Sequence, residues 1–415
     1  MKSELKKTSS QAGLFNAEMR ENPYPIYQRL REEDPVYWDE PSQVWVVTRF
    51  DDVAFVLKDP RFSSNRTGAA QGQITNERYR FMLDIMADKM SEKDEPDHMR
   101  LRSLVNKAFA RVAIERWQPI IRKRATDLLD QFRASGRCEF VEDYAIPLPM
   151  KTILQLVGIP TEDTKQVKSW CDDFANVALN YFLPIPEPEL ESARDSIRAF
   201  REYLVSQIAK LESDPQDNLL NALLIAEHEG HKLSMDELLA NAFVVLTAGN
   251  ETTTCLLSNG VAMLAQHPEQ LQLLREQPAL IPNAIEEFMR FDSPVQYLGR
   301  IATEDVTMES QVIRQGDMVL AVIASANRDA RRFKDPDQFN IERTDQHHMA
   351  FGHGRHYCPG SQLARMEAIT TFELLLEQLV DFKLSGMDFK DLRHRDNFNI
   401  RCLKQLPLEL EFRTP

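Results

Sequence analysis

The sequence predicts a mostly α-helical fold with small β-sheets, an α+β arrangement built around one long buried helix. Most of the chain carries apolar residues at helical spacing, whereas strand-like stretches are short and lie towards the two ends and in 295–324. Strands and helices do not alternate along the chain, which argues against a parallel α/β sheet. The stretch before Pro268 is apolar nearly all round, which is typical of a helix buried inside a large protein.

Composition limits the classes of function. The chain has 415 residues, of which 43% are hydrophobic and 27% charged, and 50 basic against 64 acidic residues give a net charge of −14. A chain this acidic does not favour nucleic acid as a partner. No stretch reaches ~18 uninterrupted apolar residues, so we expect a soluble protein without a membrane segment. The five cysteines form no CxxC pair, which favours the reducing cytoplasm over a disulfide framework.

The N-terminal half is predicted to begin with a helix and a strand in "NPYPIYQRLREEDPVYW", followed by a second strand in "QVWVVTRF". The helix in "DDVAFVLKDP" ends before Pro60, because proline cannot continue a helix. Residues 61–95 are polar and irregular, so we expect a loop with one short helix. The helical patterns that follow cover 98–134, 161–179 and 189–212.

The helix in the middle of the chain is the most informative element. Ser234 and Glu237 form a capping box at its start, and Pro268 lies just past its end. The helix is therefore about 48 Å long at 1.5 Å per residue. Its one polar interruption is "AGNETTT" (248–254). Polar and acidic side chains in an apolar interior are costly unless they have a partner or a task, so this stretch is a candidate functional site.

The C-terminal part is predicted to contain two further helices, in "EQLQLLREQ" and "LIPNAIEEFMRFDSP", before the strands of 295–324. A loop with "MAFGHGRHYC" then leads into a helix in "PGSQLARMEAITTFELLLEQL". We expect Pro359 to lie just inside the first turn of that helix, where proline is tolerated. The chain returns to strands at its C-terminal end.

The loop "FGHGRHYCPG" (351–360) concentrates glycine, histidine and cysteine around Cys358. Cys358 precedes the N-terminus of a helix, whose unpaired N–H groups favour an anion, and a thiolate is the form that binds metal. The three glycines of the loop let backbone approach a flat, bulky group, which a bare ion does not need. Zinc bound by His353, His356 and Cys358, a packing loop and a heme held by thiolate all remain open at this point, although the spacing does not match structural zinc sites.

Several motifs together resemble the cytochrome P-450 family of heme-thiolate monooxygenases. The family's heme signature, F-x-x-G-x-[RH]-x-C-x-G, is filled by Phe351, Gly354, His356, Cys358 and Gly360. The central-helix motif [AG]-G-x-[DE]-T and the E-x-x-R motif with its third partner occur at Ala248, Gly249, Glu251 and Thr252, and at Glu287, Arg290 and Arg343. The resemblance covers nearly the whole chain, which argues against the zinc alternative.

The resemblance implies a role for each matching residue. Cys358 binds the iron of heme b (iron protoporphyrin IX), with O2 as co-substrate. Glu251 and Thr252 deliver protons, and the small residues Ala248 and Gly249 leave room for oxygen. The cofactor is expected to contact His98, Arg102, Ala248, Arg300, Phe351, Gly352, His356, Cys358 and Gly360, with the two arginines and two histidines as partners of the heme propionates. Glu287, Arg290 and Arg343 form a structural ion network.

The resemblance further implies a bacterial monooxygenase that inserts one oxygen atom into an apolar small molecule by hydroxylation or epoxidation. Residues 1–415 are expected to form a single heme domain without a fused reductase, and to act as a monomer. Electrons would come from a ferredoxin or flavodoxin with an NAD(P)H-dependent reductase. Basic residues near Cys358, such as Arg100, Arg102, Lys107 and Arg111, are candidate docking residues for that partner.

The substrate is the least determined part of the prediction. A secondary metabolite such as a polyketide or macrolide is the first hypothesis, and fatty acid or terpenoid and steroid hydroxylation are the alternatives. Two other classes are a peroxide-driven peroxygenase and a heme-binding protein without catalysis; both are disfavoured by the intact Glu251, Thr252 and Cys358. The residues predicted to line the pocket are Phe174, Val177, Phe182, Val244, Val245, Val295, Leu298 and Phe398.

Overall fold

The computed structural model describes residues 13–67, 80–111, 114–180, 183 and 185–414. The helices are α1 (Ala17–Glu21), α2 (Tyr24–Glu33), α3 (Phe50–Lys58), α4 (Arg80–Ala87), α5 (Asp97–Arg111), α6 (Gln118–Asp130), α7 (Pro147–Val157), α8 (Thr164–Asn180), α9 (Glu187–Ser213), α10 (Leu219–Ile225), α11 (Met235–Gln266), α12 (Pro268–Glu276), α13 (Ile281–Phe291), α14 (Ile323–Ala326) and α15 (Ser361–Gln378). The strands are β1 (Val36–Asp39), β2 (Val44–Val47), β3 (Phe62–Ser63), β4 (Arg137–Glu139), β5 (Glu227–His228), β6 (His231–Lys232), β7 (Leu298–Ala302), β8 (Val306–Met308), β9 (Gln311–Ile313), β10 (Met318–Ala321), β11 (Leu379–Leu384) and β12 (Pro407–Phe412). The predicted mostly α-helical fold with small sheets is confirmed.

The long buried helix is confirmed as α11, which spans 32 residues. Its capping box is present: the Glu237 N–H donates to Ser234 Oγ at 3.1 Å, and the Ser234 N–H donates to the Glu237 carboxylate at 2.9 Å. The helix packs against α7, α8 and α15, and most of its side chains are buried. Within residues 248–254, Asn250, Thr253 and Thr254 are buried, whereas Ala248 is exposed and Thr252 is half-buried, so one side of this stretch borders an open space.

Two small sheets accompany the helices. The first has five strands in the order β1-β2-β10-β7-β3, in which β10 is parallel to β2 and antiparallel to β7. Strand β7, which carries Leu298 and Arg300, lies between the nearby β10 and the distant β3. The second sheet has the antiparallel order β11-β12-β4, and it joins the C-terminal end to the segment before α7.

The predicted helical stretch 98–134 is divided in the structure. Helix α5 ends at Arg111 and α6 begins at Gln118, with the 3₁₀ turn Ile114–Trp117 between them. Pro119 explains the division, because it occupies the first turn of α6, where its missing N–H has no consequence. Inside one continuous helix the same residue would interrupt the hydrogen bonds of the preceding turn.

The prediction for Pro359 is wrong. Helix α15 begins at Ser361, and Gly360 is its N-terminal cap, so Pro359 lies outside the first turn. The helix cannot include Pro359 because the backbone of Gly360, with φ −84° and ψ 1°, is not helical. This conformation directs the N–H groups of Gly360 and Ser361 towards the sulfur of Cys358.

Along the described residues, no helix combines the length and the apolar character that crossing a membrane requires.

Candidate cofactor and substrate site

A cavity of about 330 Å³ connects the middle of α11 with the loop that carries Cys358. Ala248 and Thr252 line it from α11, and Cys358 and Gly360 line it from the loop before α15. The polar stretch of the central helix and the single thiol of the glycine-rich loop are more than 100 residues apart in the sequence. They nevertheless line one space, as the two motifs together predict.

The loop holds Cys358 through its own backbone. The Cys358 N–H donates to the Phe351 carbonyl at 2.9 Å, which closes the loop over the 3₁₀ turn Gly354–His356. Gly352 adopts a φ of +79°, a left-handed conformation that favours glycine. Phe351 is buried, and the guanidinium carbon of Arg365 lies 4.3 Å from its ring centre. Phe351 and Gly352 therefore fix the loop that presents the sulfur.

Opposing influences act on the charge of the Cys358 thiol. Burial raises the pKa of the Cys358 thiol, whereas the N–H groups of Gly360 and Ser361 and the guanidiniums of Arg102 and Arg365 act in the opposite direction. These groups stabilise a thiolate, which is the form that binds a metal ion. Within the described part of the chain, no group of three or more His, Cys, Asp or Glu side chains is arranged to bind a metal, so the zinc alternative lacks a ligand set.

The four basic residues predicted at the edge of the cofactor lie close together. Arg102, Arg300 and His356 line the cavity, and the ring of His98 lies against that of His356 with a centroid distance of 4.0 Å. His98 Nδ1 is 3.3 Å from Glu95 Oε1, whereas its buried Nε2 has no hydrogen-bond partner among the described residues. A buried nitrogen without a partner is costly, so these residues fit a cofactor with anionic groups at its edge.

Burial acts against a positive charge on the two histidines. Burial lowers the pKa of His98, and burial together with the neighbouring His98 lowers the pKa of His356 to about 2. Burial therefore favours the neutral form of both rings, in which one nitrogen of each ring carries the proton, and His356 Nε2 lies 2.9 Å from Ser64 Oγ. The positive charge at this edge comes from Arg102 and Arg300.

Glu251 and Thr252 occupy the centre of α11. The Thr252 hydroxyl donates to the Ala248 carbonyl at 2.8 Å, four residues back in the same helix. Glu251 and Thr252 also line a second cavity, of about 270 Å³, which shares Ala248 and Leu298 with the first. Burial raises the pKa of the Glu251 carboxyl, an effect that Arg395 opposes. Glu251 is therefore a group that can hold and release a proton.

Gly249 lines the larger cavity, and it also has a packing role that was not predicted. A Cβ atom at this position would lie 3.0 Å from Cγ1 and 3.1 Å from Cδ1 of Ile153 on α7. The absence of a side chain therefore permits the close packing of α11 on α7, and it is not explained by room for oxygen alone. Ala248 lines both cavities, as expected for a small residue beside the cofactor.

Many of the residues predicted for the substrate pocket line the two cavities. The larger cavity includes Val244, Val245, Val295 and Leu298, and the smaller one includes Phe174, Val244, Val295 and Leu298. They come from α8, α11, β7 and the segment before β7. The smaller cavity is thus largely apolar.

The remaining substrate-pocket predictions need correction or fall outside the structure. Val177 is buried in the main hydrophobic cluster, and neither cavity, as formed by the described residues, includes it. Phe398 packs against Phe15, with ring centroids 5.5 Å apart, and the following Asn399 and Ile400 line the cavity in its place. Phe182 lies outside the described residues.

One group that the sequence analysis missed connects the cysteine loop to α13. Arg365 donates to both oxygens of Glu286, at 2.6 and 2.8 Å, and His348 Nε2 lies 3.1 Å from Glu286 Oε2. These partners lower the pKa of Glu286 to about 2 although burial opposes them. The arginine of the "LAR" stretch was the available sequence signal, but its partner on α13 could not be identified from spacing.

The predicted ion network lies beside this group. Arg290 donates to both carboxylate oxygens of Glu287, at 2.7 and 2.9 Å, and Arg343 Nε is 3.2 Å from Glu287 Oε2. All three side chains are buried. Arg290 also donates to the carbonyls of Asn327 and Pro336, so the network connects α13 to the segment that leads into the cysteine loop.

A second missed group lies at the wall of the smaller cavity. Arg66, Lys89 and Glu92 line it, and all three belong to the stretch that was expected to be a loop with a short helix. Their charges could be seen in the sequence. Their burial could not, because it depends on contacts with α8 and α11.

Comparisons with known proteins agree with this geometry. A family model described as Cytochrome P-450 matches residues 13–412. The polyketide biosynthesis cytochrome P-450 PksS of Bacillus subtilis is 36% identical over 95% of this chain and 97% of its own. The vitamin D(3) 25-hydroxylase of Pseudonocardia autotrophica is 35% identical over 97% of each chain. The crystal structure of P-450BioI in complex with an acyl carrier protein ligated to hexadec-9Z-enoic acid superposes with a TM-score of 0.88 at 34% identity, covering 95% of this chain and 100% of that one.

Proposed function

The chain belongs to the cytochrome P-450 family and is a heme-dependent monooxygenase, and we propose that it oxidises an apolar small molecule of bacterial secondary metabolism by hydroxylation or epoxidation. Heme with a cysteine thiolate ligand is the cofactor of this family, and it supplies the activation of O2 when bound. One observation carries the proposal: Cys358 and the polar stretch of α11 line the same cavity.

We assign the cofactor contacts from that geometry. Cys358 is the residue that would bind the iron, since the N–H groups at the start of α15 favour its thiolate. Arg102 and Arg300 would pair with the propionates, and His98 and His356 would donate hydrogen bonds to them. Because His98 Nδ1 faces the Glu95 carboxylate, His98 can donate to a propionate through Nε2 only as a protonated ring, a form that the propionate itself favours.

Glu251 and Thr252 are the proposed proton-delivery residues. Reduction of dioxygen consumes two protons, and both side chains line the cavity beside Ala248. Burial raises the pKa of the Glu251 carboxyl, which favours a group that holds a proton and can pass it on. The Thr252 hydroxyl, which donates to Ala248, can accept a further hydrogen bond from a water molecule.

We propose that residues 1–415 form one heme domain that receives electrons from a separate ferredoxin or flavodoxin with its NAD(P)H reductase. A surface concavity beside His98 is the proposed docking site for the electron donor. Its lining includes the basic residues Arg102, Lys107 and Arg355, which suit an acidic partner. Arg100 is engaged in an ion pair with Glu237, and the side chain of Arg111 lies outside the described residues. Monomeric state and a cytoplasmic location stay predictions.

The proposed substrate class depends on the relatives and on the lining. The relative named for polyketide biosynthesis covers nearly the whole chain, and the smaller cavity is largely apolar. Fatty acids and steroids are the alternatives. A hydroxylase of vitamin D(3) at similar identity supports the steroid alternative, and the acyl chain in the P-450BioI complex supports the fatty-acid alternative.

The test begins with the reduced protein and carbon monoxide. We expect a strongly red-shifted Soret band, as thiolate-bound heme shows, and loss of that shift in Cys358→Ser, with Cys171→Ser as the matched control. Turnover with NADH, ferredoxin and reductase but not with peroxide alone would support the monooxygenase over the peroxygenase alternative. A well-folded protein that binds no heme would contradict the proposal.

A further inference from the structure

The smaller cavity contains a buried ion-pair group that cofactor binding and proton delivery do not use. Arg66, Lys89 and Glu92 line it together with Ala248 and Thr252. Lys89 exposes 7% of its side chain and Glu92 only 2%. Charged groups this deeply buried are costly unless they are paired, so the pairing of each one decides what the cavity can bind.

Glu92 is committed mainly to Arg66. The Nε and the backbone N–H of Arg66 each donate to Glu92 Oε2 at 3.1 Å, and Arg66 Nη2 donates to Glu92 Oε1. Lys89 Nζ is 3.5 Å from Glu92 Oε1, beyond the roughly 2.7–3.2 Å of ordinary N–H···O bonds. Beyond this long ion pair, Lys89 Nζ makes no hydrogen bond to another residue that the structure describes, so it keeps donors that a ligand can use.

The other neighbour of the Lys89 ammonium is an aromatic ring. Nζ lies 5.7 Å from the centre of Phe174, close enough for a weak cation–π contact. Burial lowers the pKa of Lys89, whereas Glu92 acts to raise it. An ammonium in this position gains more from an anionic ligand than one in water, because the surrounding medium screens it less.

The rest of the lining suits a hydrocarbon skeleton. Val244, Val295, Leu298 and Ile400 line the same cavity. Glu251 is the other acidic residue on this wall, and burial raises its pKa, which favours its neutral form. A ligand without an acceptor group would displace water from the Lys89 ammonium and leave its N–H donors without a hydrogen bond. A carboxylate would instead accept hydrogen bonds from these donors.

We infer that Lys89 binds the carboxylate of the substrate, which is a free monocarboxylic acid with an apolar skeleton directed towards Thr252. The inference deepens the proposed function and rests on it, because it takes the cavity beside Thr252 to be the substrate site. It distinguishes two forms of an acyl substrate. An acyl chain held as a thioester on a carrier protein has no carboxylate, so Lys89 favours the free acid.

The first arm of the test uses the unaltered holoenzyme. Decanoic, dodecanoic and tetradecanoic acids are titrated beside the corresponding alcohols and methyl esters, by calorimetry and by the shift of the heme Soret band. We expect at least one acid to bind about tenfold more tightly than its alcohol and its ester, as one charge-assisted hydrogen bond predicts. If no acid of the panel binds more tightly than its alcohol, the inference is overturned.

The second arm uses Lys89→Met, which keeps an unbranched side chain beside Phe174 and leaves the pair of Arg66 and Glu92 in place. We expect acid and alcohol to bind about equally well in this variant, while the affinity for the alcohol changes less than about twofold. The matched control is Lys93→Met. Lys93 pairs with Asp88 at 3.1 Å and lines neither cavity as described, so this variant should keep the preference for the acid.

A preference for the acid that persists in Lys89→Met would show that another group binds the carboxylate and would overturn the assignment. The proposed function is tested separately, by the carbon monoxide spectrum of the same preparations. A normal spectrum without acid preference removes the inference alone. An unshifted spectrum removes the function, while calorimetry still reports whether Lys89 binds the acids.

Discussion

His98 shows how a single atom can indicate a missing partner. Its Nε2 is buried without a hydrogen-bond partner in the described residues, while its ring lies 4.0 Å from that of His356 and its Nδ1 faces Glu95. The ring is therefore already oriented from two sides. Only Nε2 remains without a partner among the described residues, beside the cavity that Arg102 lines. We assign to it a hydrogen bond with a heme propionate.

We predict that His98→Leu weakens heme retention without preventing heme binding, because Arg102 and Arg300 remain. The measurement is the rate at which heme transfers from the protein to excess apo-globin. Loss of one hydrogen bond to a charged group should raise this rate about tenfold. His231→Leu is the control, since His231 is exposed on β6. An unchanged transfer rate in His98→Leu would contradict the assignment.

At the residue scale, the sequence was most informative where a role depends on local spacing. Cys358 and its loop are contiguous, and the backbone bond from Cys358 to Phe351 spans seven positions. The proposed role of Lys89 was missed because it depends on two contacts between distant segments. Arg66 donates to the Glu92 carboxylate, and the Phe174 ring of α8 lies beside the Lys89 ammonium. Phe398 was misplaced because a one-residue difference in register directs Asn399 to the cavity and Phe398 to Phe15.

At the element scale, α11 is held to α7 by the absence of a side chain. Gly249 and Ile153 approach so closely that a Cβ on Gly249 would be 3.0 Å from Ile153 Cγ1. The capping box at Ser234 was predictable because it lies within four residues, whereas this contact joins residues that are nearly 100 positions apart. Contacts of this kind between elements are not visible in helical periodicity, so the packing role of Gly249 was not predicted.

We predict that Gly249→Ala destabilises the holoenzyme. Overpacking typically costs about 1–3 kcal/mol, and the better helix propensity of alanine returns about 1 kcal/mol of this. The melting temperature should fall, and the decrease should largely vanish when the same change is made in an Ile153→Ala background. A decrease of equal size in both backgrounds would show that the Ile153 contact is not the cause.

At the scale of the whole molecule, the interior contains a carboxyl that opposes folding at alkaline pH. Glu367 on α15 is buried, its Oε1 has no hydrogen-bond partner among the described residues, and burial raises its pKa from 4.5 to about 8. In the unfolded chain the carboxyl loses its proton near pH 4.5, whereas the folded protein keeps it to about pH 8. The folded state therefore binds the additional proton between these values, and its stability declines as the pH rises through them.

We predict that Glu367→Gln makes the melting temperature of the holoenzyme less dependent on pH between 6 and 8. The underlying effect is about 1.4 kcal/mol per pH unit in this window, so the variant should exceed the parent in stability at pH 8. Glu373→Gln changes a partly exposed carboxylate on the same helix and should leave the pH profile of the parent unchanged. Parallel profiles for Glu367→Gln and the parent would contradict the burial argument.

The neighbouring carboxylates Glu286 and Glu287 of α13 belong to two different ion-pair groups, one with Arg365 and one with Arg290 and Arg343. None of these five residues lines the smaller cavity as described. The ion pairs that hold the cysteine loop are therefore separate from the residues proposed to contact the substrate. Such a division makes the chain evolvable, because selection can replace Lys89 or Ile400 to accept a new molecule while the ion pairs behind the cysteine loop are inherited intact.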